Sequence, residues 1–302
     1  MSGAQATTAA AVRPAATAIS AVDRWGYRLQ RLPLHLVIII ICVFWLLPTL
    51  GLIINSFRSL HDMNNAGWWT TLVPPHGFSL ASYQQVLSIE GFAKSILNSV
   101  LITVPATVIQ LTVATMGAYA FAWMNFPGRN LFFIVIVGLM VVPIQMTLIP
   151  VLQIFAATGL AGTFIAVWLA HTGYGLPFQV FLLRNYLGGL PREVFESAEV
   201  DGAGHAIRFL RIAVPMTLPA IASVTIFVFL GVWNDLLVAL TYLGQSPNRP
   251  MTVQMTQLVT SLGGGWQFLT AAAVLQMVLP LAVFIALQRY FVRGVTAGSV
   301  KG

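Results

Sequence analysis

The sequence predicts an all-α polytopic membrane protein with six transmembrane helices, and three observations carry that expectation. Of 302 residues, 58% are hydrophobic and only 8% are charged, whereas a soluble domain is about a quarter charged. Apolar runs long enough to cross a hydrocarbon core of roughly 30 Å recur along the chain. Those runs are continuous rather than alternating, so their backbone groups are satisfied in lipid by helices and not by a barrel. A net charge of +7 would suggest a nucleic-acid partner in a soluble protein. Here it is explained by Lys and Arg flanking the spans, and no nucleic-acid partner is expected. The single cysteine, Cys42, lies inside the first apolar run, so no intramolecular disulfide is available.

Taken in order, residues 1–31 form an expected disordered cytoplasmic tail. Their first part is rich in Ala and Thr without apolar period, and "RWGYRLQRLP" closes them with Arg24, Arg28 and Arg31. The transmembrane domain follows over 32–292, and 293–302 is a short C-terminal tail. The first run, 33–55, is too long for a signal-peptide core and no small-residue cleavage pattern follows, so it reads as a retained span. A polar segment over 56–92 carries Trp68, Trp69 and the Pro74-Pro75 pair, as an ordered interfacial loop would. Spans two and three, 93–122 and 131–153, flank the turn "NFPGRN". Span four is expected over 161–184, span five from 213 and span six over 268–290.

Six spans place both termini on one side. That side carries 12 of the 15 Lys and Arg residues, and the opposite loops hold only Arg58, Lys94 and Arg249. The positive-inside asymmetry puts both termini and the 184–212 loop of a multi-pass membrane protein in the cytoplasm.

Half of the eight acidic residues crowd into "EVFESAEVDGAGHAIRFLRIAVP", 193–215, with Arg208 and Arg211 close behind. At roughly 2.5–3.5 kcal/mol per ionised side chain at a membrane centre, this stretch stays outside the bilayer. Pro191 suits a helix start, and Glu193 and Glu196 favour its positive end. Gly202 sits where a C-terminal cap takes positive φ, and Ile207, Leu210 and Val214 lie near helical spacing beyond it. A helix, a glycine turn and a second helix feeding span five are therefore expected.

The order of residues here resembles the EAA loop of ATP-binding-cassette importer permeases: Glu-Ala-Ala, three residues, Gly, nine residues, Ile, any residue, Leu, Pro. Glu196, Ser197, Ala198, Gly202, Ile212 and Pro215 fall in register, with Ser197 in place of an Ala, Val214 in place of the Leu, and Asp201 beside the glycine as is usual there. "FSLASYQQVL", "ILNSVLITVPATVIQLTVATMGAYAFAWMNFPGRN", "VVPIQMTLIPV", "GVWNDLLVAL" and "QRYFVRGVTAGSVKG" resemble other segments of the carbohydrate-uptake permeases related to the second, six-span maltose permease subunit.

The resemblance implies the type I importer permease fold and a coupling loop over 186–215. It implies that Glu196, Ser197, Ala198, Asp201, Gly202, Ile212 and Pro215 dock a cytoplasmic ATPase. The implied partners are a second permease subunit, two ATPase subunits and an extracytoplasmic solute-binding protein. The implied cargo is a di- or oligosaccharide or α-glucoside-like sugar moved by alternating access, with glycerol phosphate as an alternative within the group. The chain lacks a Gly-x-x-x-x-Gly-Lys-Ser/Thr phosphate loop. No cofactor is therefore expected in it, ATP and Mg being bound by the partner ATPase, and the chain is not expected to be an enzyme.

Polar residues within spans are pathway candidates. In "WND", Trp233, Asn234 and Asp235 form a conspicuous cluster. Asp235 lies 20 residues beyond Pro215, roughly 30 Å along a helix, and so near the far end of its span. The competing reading is an acid capping a helix end. His171 and Tyr174 occur where Gly173 and Gly175 suggest a kink in span four, and Asn98 and Gln145 are further candidates. Polar packing between helices is the structural alternative for each. Pro143 and Pro150 are placed to bend span three. A self-sufficient secondary transporter would carry ionisable groups in mid-membrane, and here only His171 and Asp235 come near that description. Zinc-protease and nucleophile-elbow motifs of intramembrane enzymes are missing as well.

Overall fold

A computed structural model describes residues 21–259 and 264–299. The chain divides into two compact units, Met1–Gly51 and Leu52–Gly302.

The first unit holds most of α1 (Ala21–Ser56), which carries Pro33 and Pro48 within it. Its large apolar side chains from Leu36 to Leu47 are exposed, as suits a helix whose solvent is hydrocarbon rather than water. Residues 21–31, expected in the tail, are part of this helix. "RWGYRLQR" contains no glycine pair or interior proline to stop helix propagation into it. Residues 1–20 of the expected tail lie outside the described residues.

In the second unit, α2 (Leu60–Asn65), a 3₁₀ turn (Trp68–Thr71) and α3 (Ala81–Ser88) precede α4 (Phe92–Trp123). After α4 come α5 (Arg129–Leu139), α6 (Ile144–Ala157) and α7 (Phe164–Gly188). Then follow α8 (Arg192–Val200), α9 (His205–Arg208), a π-helical turn (Phe209–Ala213) and α10 (Val214–Trp233). The chain continues through α11 (Leu237–Leu243), α12 (Met251–Met255) and α13 (Trp266–Ser299).

The packing centre is the pair α4 and α7. Small or slender side chains recur every fourth residue along α4, with Ala106, Gln110, Ala114 and Ala118 all buried. That row lies against Ala166, Val167, Ala170, Val180 and Leu183 of α7. Small residues let helix backbones approach closely where lipid supplies no hydrophobic drive. A second four-residue row, Ser95, Ser99, Thr103 and Thr107, is also buried. Its Ser99 hydroxyl accepts the Met251 backbone N–H at 2.8 Å, fixing the start of α12.

Among the described residues, four helices are long and apolar enough to cross a membrane, those within α1, α4, α9–α10 and α13. The expected third span, 131–153, which Pro143 and Pro150 are placed to bend, is the pair α5 and α6, bent by 102° at the break. Pro143 is the physical cause: it caps α6 in an extended conformation, and the residue before a proline is driven out of the helical region. Counted as one broken span, the pair makes five. The expected interruption of span four at Gly173 and Gly175 does not occur. α7 runs without interruption through Gly173, Gly175 and Pro177, started by Thr163, whose hydroxyl accepts from Ala166 N. Glycine is tolerated inside membrane helices. Residues 293–299 of the expected C-terminal tail belong to α13, and 300–302 lie outside the described residues.

Candidate functional site

The charged stretch folds as its composition requires. Pro191 stands at the N-cap of α8, and Glu193 occupies its first turn, where a carboxylate meets the positive helix end. The helix ends in a Schellman arrangement. Gly202 N–H reaches the Glu199 carbonyl at 3.0 Å, and Ala203 N–H reaches that of Ala198 at 2.8 Å. Gly202 has φ of +79° and nothing within 4 Å of an added Cβ. The glycine is thus required by backbone conformation and not by space.

One face of α8 is anchored. Phe195 is 2% exposed, and its ring stacks on Trp123 at 3.8 Å between centroids. The Trp123 indole N–H in turn donates to the Leu187 carbonyl at 3.1 Å. Ala198, one helical turn on, is buried as well, so it faces the fold and not outward with Ser197. Glu199 accepts a 2.8 Å charge-assisted hydrogen bond from the Arg208 guanidinium, tying α8 to α9 across the glycine turn. Ile212 is half-buried in the apolar cluster below, and Pro215 opens α10.

The other face is free. Glu193, Val194, Glu196, Ser197, Val200 and Asp201 are exposed, and Val200 keeps 88% of its surface. An exposed apolar side chain between carboxylates, on a helix pinned from behind, has the form of a docking knob.

The polar residues expected along a pathway take separate duties. Asn98 donates to the Pro247 and Arg249 carbonyls, both at 3.0 Å, and so pins the loop between α11 and α12. Gln145 is exposed in the first turn of α6. Trp233 and Gln276 bond reciprocally, the indole N–H to the Gln276 carbonyl at 2.9 Å and the amide N–H to the Trp233 carbonyl at 3.0 Å. Asn234 bonds back to the Leu230 carbonyl at 3.0 Å, finishing α10. Asp235 caps α11 by accepting from Val238 N at 3.3 Å and Ala239 N at 2.9 Å. The capping alternative therefore describes Asp235, although its carboxylate also lies 3.8 Å from His171 Nε2.

His171 and Tyr174 do converge. Both line a cavity of about 290 Å³ between α4, α6, α7 and α10, together with Phe178, Phe227 and the amides of Gln110 and Gln179. The Tyr174 hydroxyl is hydrogen-bonded to that of Tyr242. Gln110 and Gln179 escape a reading by spacing, since they lie 69 residues apart and only the packing of α4 on α7 joins them. A lone glutamine within the membrane-length stretch of each helix was the available signal.

Comparison with known proteins places these features in a family. Residues 110–297 match the model of the "Binding-protein-dependent transport system inner membrane component". The osmoprotective compounds uptake permease protein GgtD of Synechocystis sp. is 55% identical over 276 residues, covering 90% of this chain and 93% of the relative. The alpha-glucoside transport system permease protein AglG of Rhizobium meliloti is 51% identical over 260 residues, covering 82% of this chain and 68% of the relative. In structure, a chain of a bacterial ABC transporter importing the acidic polysaccharide alginate superposes with a TM-score of 0.74. That match covers 90% of this chain and 98% of the other at 21% identity, and so speaks to the fold.

Proposed function

The chain belongs to the binding-protein-dependent transport system inner membrane components, the non-catalytic permease subunits of ABC importers, and on that premise we propose that it forms one half of a pathway for α-glucoside-type sugars. The substrate class is supported by the α-glucoside permease at 51% identity. The uptake of osmoprotective compounds, the role named for the 55% relative, is the competing substrate reading.

The mechanism rests on the helix-and-turn geometry of α8. With residues 192–202 in the cytoplasm, the exposed Glu196, Ser197, Val200 and Asp201 offer charge-assisted contacts and a small apolar contact to a cleft in an ATPase subunit. Gly202, Ile212 and Pro215 set the angle at which α8 is presented, and Ala198 seats it from behind. Because Phe195 stacks on Trp123 at the end of α4, movement of the docked helix passes to the α4–α7 pair. Closure of two ATPase subunits around ATP then turns the two permease halves outward, and hydrolysis returns them.

A second permease chain, two ATPase subunits and an extracytoplasmic binding protein complete the machine. One solved structure of the alginate ABC transporter is described as a complex with an alginate pentasaccharide-bound periplasmic protein, which supports the last of these. α7, 25 residues long, supplies the sixth span and leaves both termini cytoplasmic. Asp235, His171, Tyr174, Trp233, Asn234, Asn98 and Gln145 shape the pathway wall or its outer end, most of them by holding helix ends in place.

The reading is tested by reconstituting the chain with its partner permease, ATPase and binding protein in proteoliposomes. Uptake of radiolabelled trehalose and sucrose is compared with that of glycine betaine and glycerol 3-phosphate. ATP-dependent accumulation of the two α-glucosides is expected. Accumulation of betaine or glycerol phosphate in their place would contradict the substrate class.

A further inference from the structure

We propose that Gln110 and Gln179 form a hydroxyl-reading subsite for a single neutral sugar ring within this half of the pathway, an inference that rests on the permease reading above. Both side chains are almost fully buried, at 2% and 3% exposure. Gln179 Nε2 donates to Gln110 Oε1 at 2.7 Å. That bond uses one donor group and one acceptor and leaves the other half of each amide. Among the described residues, Gln110 Nε2 and Gln179 Oε1 are buried with no hydrogen-bond partner, and His171 Nε2 has only the Asp235 carboxylate, 3.8 Å away.

An unmade buried hydrogen bond is destabilising, and two on one bonded amide pair in a cavity wall are hard to explain by packing alone. All three residues line the same cavity of about 290 Å³. Gly175 makes the arrangement possible, because a Cβ there would overlap Gln110 Oε1 and crowd Gln179 Nε2.

The unpaired groups define the ligand. An amide N–H₂ beside an amide carbonyl complements a hydroxyl, which both donates and accepts, or two hydroxyls on adjacent carbons. Among the described residues, no Lys, Arg, Asp or Glu lines the cavity. A phosphate or carboxylate would therefore meet a carbonyl without a countercharge, and a cation would lack an anionic partner. Phe178, Phe227 and Tyr174 supply apolar and aromatic surface for the C–H faces of a pyranose. The volume lies at the small end of ligand pockets, about 300 Å³, which suits one ring, with the rest of a longer sugar reaching toward the partner permease.

The test uses the complete transporter in proteoliposomes at saturating binding protein and trehalose. Gln110→Met, Gln179→Met and the double variant keep side-chain volume while removing the amides. Each single variant is expected to lower the maximal trehalose uptake rate by about tenfold, the loss of roughly one well-made hydrogen bond. The double variant should lose more, while binding-protein-stimulated ATP hydrolysis and the melting temperature of the purified complex stay at wild-type values. Wild-type uptake by the double variant would overturn the subsite and leave the permease reading standing. Loss of uptake together with stimulated hydrolysis and melting temperature would also overturn it, the glutamines then being structural. Failure of the wild-type transporter to move trehalose would instead defeat the substrate reading on which the subsite depends.

Discussion

The charged stretch around α8 and the cavity between α4, α6, α7 and α10 both gather polar groups, but they treat them in opposite ways. On α8 the carboxylates of Glu193, Glu196 and Asp201 lie exposed, and the part turned inward is apolar, Phe195 and Ala198. In the cavity the exposed lining is largely apolar, Phe178 and Phe227, and the polar groups Gln110 and Gln179 are buried. Charge costs little in water and much in lipid, so the loop can advertise its contacts. The cavity holds neutral amides and keeps part of their hydrogen-bonding capacity unused. On the proposed reading, the loop is grasped by a protein and the cavity admits something small.

Variants that exchange or erase these characters probe the contrast, beginning with the largest effect. Gly202→Pro replaces φ of +79° by a ring fixed near −65°, which the turn between α8 and α9 does not accommodate. Uptake is expected to be abolished while the protein still inserts and pairs with its permease partner. Normal uptake in membrane vesicles would remove the bend from the mechanism. Phe195→Ala deletes the buried ring stacked on Trp123, a class of change that costs about 3–5 kcal/mol. In the assembled transporter this should appear as weaker retention of the ATPase on size-exclusion chromatography, with the cavity variants behaving as wild type.

Asn98→Ala removes both bonds to the Pro247 and Arg249 carbonyls, at about 1 kcal/mol each. Faster proteolysis in the 245–250 loop should report it, without change in ATPase association. Glu199→Gln is expected to have the smallest effect. It weakens the bond to Arg208, but Glu199 is 66% exposed on its side chain. Exposed pairs contribute about 0.2–1 kcal/mol, so uptake should fall by less than about fivefold.

How much of this was legible in the sequence follows the range of the interactions. Gly202 and the α8 boundaries were readable because capping, helix polarity and positive φ act within a few residues. The apolar spans were readable because lipid imposes length and composition. The bend between α5 and α6 was only half-readable: Pro143 was singled out, but a single span over 131–153 was expected where the chain turns by 102°. Gly173 and Gly175 suggested an interruption that α7 does not show, and Gly175 makes room for the two glutamines. Asn98, Asp235 and Trp233 were conspicuous as polar residues in apolar runs. Their partners, Pro247, His171 and Gln276, lie 149, 64 and 43 residues away, and no local rule reaches them. Composition could mark these side chains as exceptional but could not distinguish a strut from a wall.

The central claim, that the free face of α8 is gripped by an ATPase from the cytoplasm, is tested most directly by placing one reactive group on that face. In a Cys42→Ser background, Ser197→Cys would carry the only thiol in the chain, and a photoactivatable maleimide attached there would sample its neighbours in the purified transporter. Labelling only from the cytoplasmic side of sealed vesicles, followed by cross-linking to the ATPase subunit in a nucleotide-dependent yield, is the predicted result. Labelling from the outer side, or cross-links that bypass the ATPase altogether, would contradict it.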